Sequence, residues 1–261
     1  MTSPPRLFDR ALLRKRLDRA APGFDAAGFL KARAAEDIVE RLEPILRDYP
    51  VAVDLAARTG AFARAAARSD VGGRIGLLIE ADLSARMLAG RDGVRLVLDD
   101  ERLPFAQDSL DLVVSTLGLH WTNDVVGALI QIRTALKPDG LFIGAFFGGA
   151  TLTELRQSLL AAEAEVTGGA GQRVSPFADP YDAAGLLQRA GFALPVADVD
   201  RVVVRYANPL KLLADLRQMG ETGVLAERHP RALTRTVLAR AMQIYEERFA
   251  EAMGRVLAPE V

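Results

Sequence analysis

The 261-residue sequence predicts an α/β fold, doubly wound around a mostly parallel sheet. Three observations carry that expectation. Short apolar runs alternate with stretches at helical spacing from residue 51 to residue 147. The first three runs each close on an acid, Asp54, Asp82 and Asp99. The fourth, residues 110–115, reads as a buried parallel strand and leads directly into Gly118, His120, Trp121 and Asn123. In open sheets of this kind ligands sit outside the carboxyl ends of the strands. The pattern therefore places a nucleotide-type cofactor site at that edge, with a substrate-facing loop beside it.

Composition narrows the function classes. A net charge of −1 offers no field to attract nucleic acid. The absence of cysteine excludes disulfides, thiolate zinc sites and a cysteine nucleophile. No apolar run approaches the roughly 20 residues that span a bilayer, so no transmembrane segment is expected. His120 and His229 are too few and too far apart in sequence to define a metal site, and none is assigned.

In chain order, residues 1–5 form a polar, Pro-bearing tail expected to be mobile. Residues 8–21 have Phe8, Leu12, Leu13 and Leu17 at helical spacing, with Arg and Lys opposite. Such a start resembles a mitochondrial transit peptide, but Asp9 and Asp18 argue against one and for a helix packed on the domain. A cytoplasmic location is accordingly expected ahead of the mitochondrial matrix. A second helix is expected over residues 27–46, with Phe29, Leu30, Ile38, Leu42 and Ile45 inward. Strands follow at 51–55, 74–81, 94–98, 110–115 and 141–147, with helices at 61–68, 85–89 (capped by Ser84) and 125–136, the last with Val126, Leu129, Ile130 and Ile132 inward. Beyond residue 150 the texture turns helical, at 151–167, 182–190, 209–219 and 231–253, the first opening on a Thr-Leu-Thr-Glu capping box. Two late segments, 193–196 and 201–206, have strand character and bring the count to seven. Three regions result: N-terminal helices over the site (1–50), a cofactor-binding core (51–150), and a helical insertion with terminal strands on the substrate side (151–261).

The first strand enters a small-residue turn, Ala56-Ala57-Arg58-Thr59-Gly60, and then a helix, the opening unit of a nucleotide-binding fold. Asp82 lies 22 positions after Gly60, close to the roughly 20-residue offset at which an acid meets ribose hydroxyls. Any one strand-end acid is ordinarily a solvated turn residue; three in succession point to a ligand.

Asp82-Leu83-Ser84 with Met87-Leu88, Leu103-Pro104-Phe105, Leu110-Asp111-Leu112-Val113-Val114-Ser115 and Leu136-Lys137-Pro138-Asp139-Gly140 resemble a class I S-adenosylmethionine-dependent methyltransferase. The branch it resembles is the one shared by the biotin-synthesis malonyl-carrier methyltransferase and a methyltransferase-like mitochondrial complex I assembly factor. Leu119-His120-Trp121-Thr122-Asn123-Asp124, Phe147-Gly148-Gly149, Ser175-Pro176-Phe177, Ala190-Gly191-Phe192 and Met219-Gly220-Glu221 are similar to the assembly-factor side. The resemblance implies S-adenosylmethionine as cofactor, with a seven-stranded Rossmann-like sheet. Asp82 would hold the ribose, Leu83 would pack on adenine, and Asp99, with Asp100 nearby, would take its amino group. The Ala56–Gly60 turn, with Asp54 and Ser115, would face the methionine end. His120, Trp121 and Asn123 form the candidate catalytic set, with His120 a base or an orienter of the acceptor at the pocket mouth. A buried, hydrogen-bonded His beside a core Trp is the plain alternative.

One departure stands out. The family's turn reads Asp-Leu-Gly-x-Gly-x-Gly, and here Ala56 and Arg58 replace two glycines. Arg58 has three options: to pair with the ligand carboxylate, to swing into solvent, or to fill the site. Three functions follow. The first is a methyltransferase-like enzyme acting on an unknown acceptor. The second, implied by the assembly-factor branch, is an assembly factor that hydroxylates a protein arginine on a complex I subunit. The third is a non-catalytic binding module with a degenerate cofactor turn.

Overall fold

The computed structural model describes residues 6–179, 182–227, 232–249 and 256–258; the 1–5 tail and His229 lie outside them. Five strands form one parallel sheet: β1 (Tyr49–Leu55), β2 (Ile75–Asp82), β3 (Val94–Val97), β4 (Leu110–Thr116) and β5 (Leu136–Ala145). Their order is β3-β2-β1-β4-β5, so the chain reverses direction across the sheet between β1 and β4. The crevice outside the carboxyl ends at such a reversal is where a ligand fits.

Strand alternation sends side chains to two cores. Ala52 pairs with Leu112 and Val53 with Val113. Ala52, Leu112 and Val114 pack on Leu30, Ile38 and Leu42 of α3 (Phe29–Leu42) and on Phe62 of α4 (Ala61–Ala66). Val53, Leu55 and Val113 pack on Leu129 and Ile132 of α6 (Val125–Ala135), across the sheet. Helices on both faces explain why β4 is buried along its whole length. Between α4 and β2 lies α5 (Asp70–Arg74), a short helix capped by Ser69.

Two further clusters complete the molecule. Helix α1 (Arg10–Ala20), capped by Asp9, buries Leu13 and Leu17 with Phe8, Phe24 of α2 (Phe24–Ala27), Met87, Trp121 and Val224. Helices α7 (Thr153–Thr167), α9 (Pro209–Gln218) and α10 (Arg235–Phe249) share Leu155, Leu159, Leu212, Val237, Ile244 and Tyr245. Helix α8 (Ala183–Arg189) sits against the α6 face through Leu186 and Leu187.

The structure corrects the sequence reading at several points. The parallel sheet has five strands among the described residues, not seven. The late segment β6 (Val202–Val204) instead pairs antiparallel with β7 (Val256–Ala258) in a separate two-stranded sheet. Residues 193–196 form no strand: Leu194 takes a positive φ of 53° and Pro195 brings no amide hydrogen. Phe29 and Ile130 face outward at 41% and 43% exposure, and Lys31 takes a buried place on α3. Residues 85–89 are turns rather than a helix, although Ser84 makes the expected cap: its hydroxyl accepts from the Met87 amide (3.2 Å) and donates to Asp18 of α1 (2.6 Å). The capping box does not form. Helix α7 starts after Leu152, itself left-handed at φ 58°, and the Thr153 hydroxyl donates to the Ala150 carbonyl instead.

Candidate functional site

The turn after β1 keeps a glycine turn's backbone with only one of its three glycines. Ala56, Arg58 and Gly60 all lie in the left-handed region, at φ 55°, 54° and 79°. For Ala and Arg that conformation costs roughly 1–2 kcal/mol each. The Ala57 amide, donating to Ala81 of β2 (2.9 Å), ties the turn to the sheet. A Cβ on Gly118, two residues beyond β4, would overlap the Ala56 Cβ, so that position has to be glycine for the two loops to meet.

Of the three options open to Arg58, the structure shows the one that fills the crevice. Its backbone amide and Nη1 both donate to Asp82 Oδ2, at 2.9 and 2.8 Å. The side chains are 4% and 0% exposed. Burial works against the guanidinium charge, but Asp82, with Glu221 and Asp100, together more than offset it, and the Arg58 pKa is raised. Arg10 of α1 does the same for the next two acids, donating to Asp99 (2.6 Å), to Asp100, and to the Trp121 carbonyl (3.0 Å). Asp82, Asp99 and Asp100 are thus each answered by one of the chain's own guanidiniums.

Arg10, Leu13, Leu17, Ala56, Arg58, Asp82, Leu83, Leu98, Asp100 and Gly118 line one crevice of about 10 Å³, room for about one water. Of the residues expected to hold a cofactor, Ala56, Arg58, Asp82, Leu83 and Asp100 meet there. Asp99 stands at its side through Arg10. Gly60 does not face it: a Cβ there would meet the Arg91 guanidinium at 1.9 Å, which is bound to Glu80.

Asp54 and Ser115 lie deeper. Both Asp54 carboxylate oxygens, the Ser115 hydroxyl and the Thr116 hydroxyl are buried with no hydrogen-bond partner among the described residues. Burial raises the Asp54 pKa to about 7, only partly opposed by nearby Lys31. Burial likewise lowers Lys31 to about 8, with Asp54 opposing, and its ammonium donates to the Thr116 carbonyl. A buried carboxylate without a partner is costly unless a donor arrives.

The expected catalytic trio has a different setting. His120 is not at a pocket mouth. Its side chain is 1% exposed and ringed by Trp121, Phe147 and Phe177 at centroid distances of 5.1, 4.9 and 5.9 Å. His120 Nε2 lies 3.0 Å from Glu221 Oε2, and Trp121 Nε1 donates to the same oxygen at 2.8 Å. The turn over residues 119–121 packs inward, which gives the plain alternative: a hydrogen-bonded core histidine beside a buried tryptophan. Asn123 accepts from the Phe8 amide (2.7 Å) and donates to the Phe8 carbonyl and to Glu101.

Sequence reasoning missed Arg10 and Lys31, and Glu221 appeared in it only within a motif. Lys31 carried a signal, since it falls on the apolar stripe Ala27, Leu30, Ala34, Ala35, Ile38. Arg10 carried none, being one of several cations on a polar helix face.

The switch-point crevice, the strand-end acids and the left-handed turn define a nucleotide-cofactor α/β protein. Comparison narrows the class. Residues 53–144 match the family described as "Methyltransferase domain". The human arginine-hydroxylase NDUFAF5, mitochondrial, is 40% identical over 98% of this chain and 76% of its own length. The malonyl-[acyl-carrier protein] O-methyltransferase of Methylovorus is 33% identical over 94% of this chain and 85% of its own. The chain belongs to the class I S-adenosylmethionine-dependent methyltransferase-like family that holds both. Among solved structures, the YcgJ protein of Bacillus subtilis shares the fold at a TM-score of 0.55 and 14% identity, over 87% of this chain and 94% of that one. Among the described residues no helix is long and apolar enough to cross a membrane, and no three His, Cys, Asp or Glu side chains are grouped to hold a metal ion.

Proposed function

We propose that this chain is an S-adenosylmethionine-dependent methyltransferase-like enzyme acting on an unidentified acceptor. The observation that carries the reading is the orphaned carboxylate of Asp54, with the Ser115 and Thr116 hydroxyls, beside a turn that keeps the three left-handed residues of a glycine turn. These groups suit the ammonium-bearing methionine end. Asp82 would take the ribose hydroxyls, Leu83 and Leu98 would flank the adenine, and Asp99 or Asp100 would take its amino group. When bound, the cofactor supplies an electrophilic methyl group on a sulfonium. The chain's own residues orient the ligand, exclude water, and keep a neutral or charged Asp54 within reach of a cation.

In this reading residues 1–50 cover the site, 51–150 grip the cofactor and 151–261 face the acceptor. His120 and Trp121, both held by Glu221, and Asn123, held by Phe8 and Glu101, would position the loop after β4 rather than touch the acceptor. The compartment is read as cytoplasmic, with the mitochondrial matrix the alternative because close relatives carry that name.

Calorimetry with S-adenosylmethionine tests the reading. Saturable heat near one ligand per chain supports it; no heat at millimolar ligand, with the fold intact, overturns it.

Two other readings each have an observation behind them. The identity to proteins named arginine hydroxylase, over nearly the whole chain, favours hydroxylation of a protein arginine, which would need an oxidant supplied from outside the chain and for which a complex I subunit is the substrate to try. The mass gained by such an acceptor separates a hydroxyl from a methyl. The buried Arg58–Asp82 pair favours a binding module that no longer takes the cofactor. Restoring glycine at 56 and 58 separates this from the first reading: affinity that appears only in that variant marks a degenerate turn.

A further inference from the structure

We propose that the N-terminal segment and helix α1 are a built-in inhibitor of the crevice, with Arg10 as the latch. An adenosine ligand is gripped only after this segment gives up Asp99 and Asp100. The inference rests on reading the crevice as the cofactor site, and its test separates the two.

Arg10 reaches three groups at once: Asp99, Asp100 and the Trp121 carbonyl. Its side chain is only 13% exposed. A charged guanidinium on a carboxylate is a far stronger partner than the neutral amino group of an adenine. Arg10 therefore holds Oδ1 of each acid against any adenine amino group that approaches it.

The segment around Arg10 is stitched to the same loop. Phe8 meets Trp121 edge to face at 5.3 Å, and its amide and carbonyl both bond to Asn123. The Asp9 amide donates to Val224 (2.8 Å), and the Ala226 amide donates to Leu7 (2.9 Å). Leu13 and Leu17 of α1 form a wall of the crevice, leaving about 10 Å³. The crevice cannot admit a nucleoside while α1 stays in place.

The latch is imperfectly satisfied. Arg10 Nε is buried without a hydrogen-bond acceptor, the Glu101 carboxylate standing 3.8 Å away. An unpaired buried donor is a standing cost of the closed form. Because Trp121 and Asn123 hold the segment shut, anything that engages this loop from the acceptor side competes with the latch. Acceptor and cofactor are thereby linked through α1.

The test compares the wild type with Arg10→Gln by S-adenosylmethionine calorimetry, and follows amide hydrogen exchange over residues 8–20. The latch predicts roughly tenfold or greater tightening in Arg10→Gln, the fraction of closed molecules being removed from the apparent affinity. It also predicts that ligand speeds exchange over residues 8–20 in the wild type. Equal affinity in both chains, or exchange that slows with ligand, overturns the latch and leaves the cofactor reading standing. No heat from either chain overturns both. Should Arg10→Gln fail to fold, Arg10→Lys, which keeps a charge but loses the planar fork, takes its place under the same criteria.

Discussion

Arg58 grips Asp82 with two donors, its own backbone amide and its guanidinium, both on a single carboxylate oxygen. The amide contact is what a glycine at this position would also make. The guanidinium contact is added by the side chain, and it covers the acid that the ribose would use. Arg58→Met removes the second contact and keeps the first, leaving Asp82 buried and uncompensated. A loss of about 3–5 kcal/mol in the free energy of unfolding is expected in the absence of ligand. Urea denaturation of the two chains measures it.

Ala56 holds a left-handed conformation with its Cβ against Gly118. Ala56→Gly relieves that conformation, partly offset by a freer unfolded chain. A net gain of about 1 kcal/mol is expected, read as a small rise in Tm. Gly118→Ala is expected to destabilise the chain, because its methyl has nowhere to go.

Asp54 and Lys31 give stability a pH dependence with two limbs. Burial raises Asp54 to about 7, above its unfolded value of 3.8, so its contribution is fully present below about pH 4 and is lost as pH rises through 7. Burial lowers Lys31 from 10.5 to about 8, so the folded state gains as pH rises from 8 toward 10.5. Stability is therefore expected to dip between the two windows, each limb sloping by up to about 1.4 kcal/mol per pH unit. Asp54→Asn is expected to flatten the acid-side limb, as denaturation at stepped pH would show.

Glu221 works against its own burial. Burial raises its pKa, but His120, Arg58 and the Trp121 indole together bring it below the usual carboxylate value. Its contribution is present above about pH 4.5 and is lost as pH falls further. Glu221→Gln keeps the shape and removes the charge, at an expected cost of roughly 1.5–3 kcal/mol. Trp121 is the chain's single tryptophan, so its fluorescence reports this site without interference.

The parts of this architecture that were legible in the sequence are those written in local pattern. The strand over residues 51–55 and the acid at its end could be read because a buried parallel strand needs a continuous apolar run. Asp82 could be placed by its distance from the turn. What faces these acids could not be read. Arg10 is 89 positions from Asp99, and Glu221 is 101 from His120. A pairing that depends on how a helix folds back across a sheet leaves no trace in either residue's neighbourhood. His120 was misplaced for a related reason: a loop leaving a central strand is expected at a ligand, and here it turns into an aromatic cluster. The strand count failed at Leu194, whose positive φ overrides the strand character of its neighbours. Lys31 was the one legible exception, a cation in an apolar stripe.

The most direct measurement is a crystal structure of the chain grown with S-adenosylmethionine or its demethylated product at saturating concentration. The account predicts a nucleoside between β1 and β4, its ribose hydroxyls on Asp82, with the guanidiniums of Arg58 and Arg10 moved off their carboxylates. A nucleoside bound elsewhere, or a crevice still filled by Arg58 on Asp82 with no ligand in it, would contradict the account.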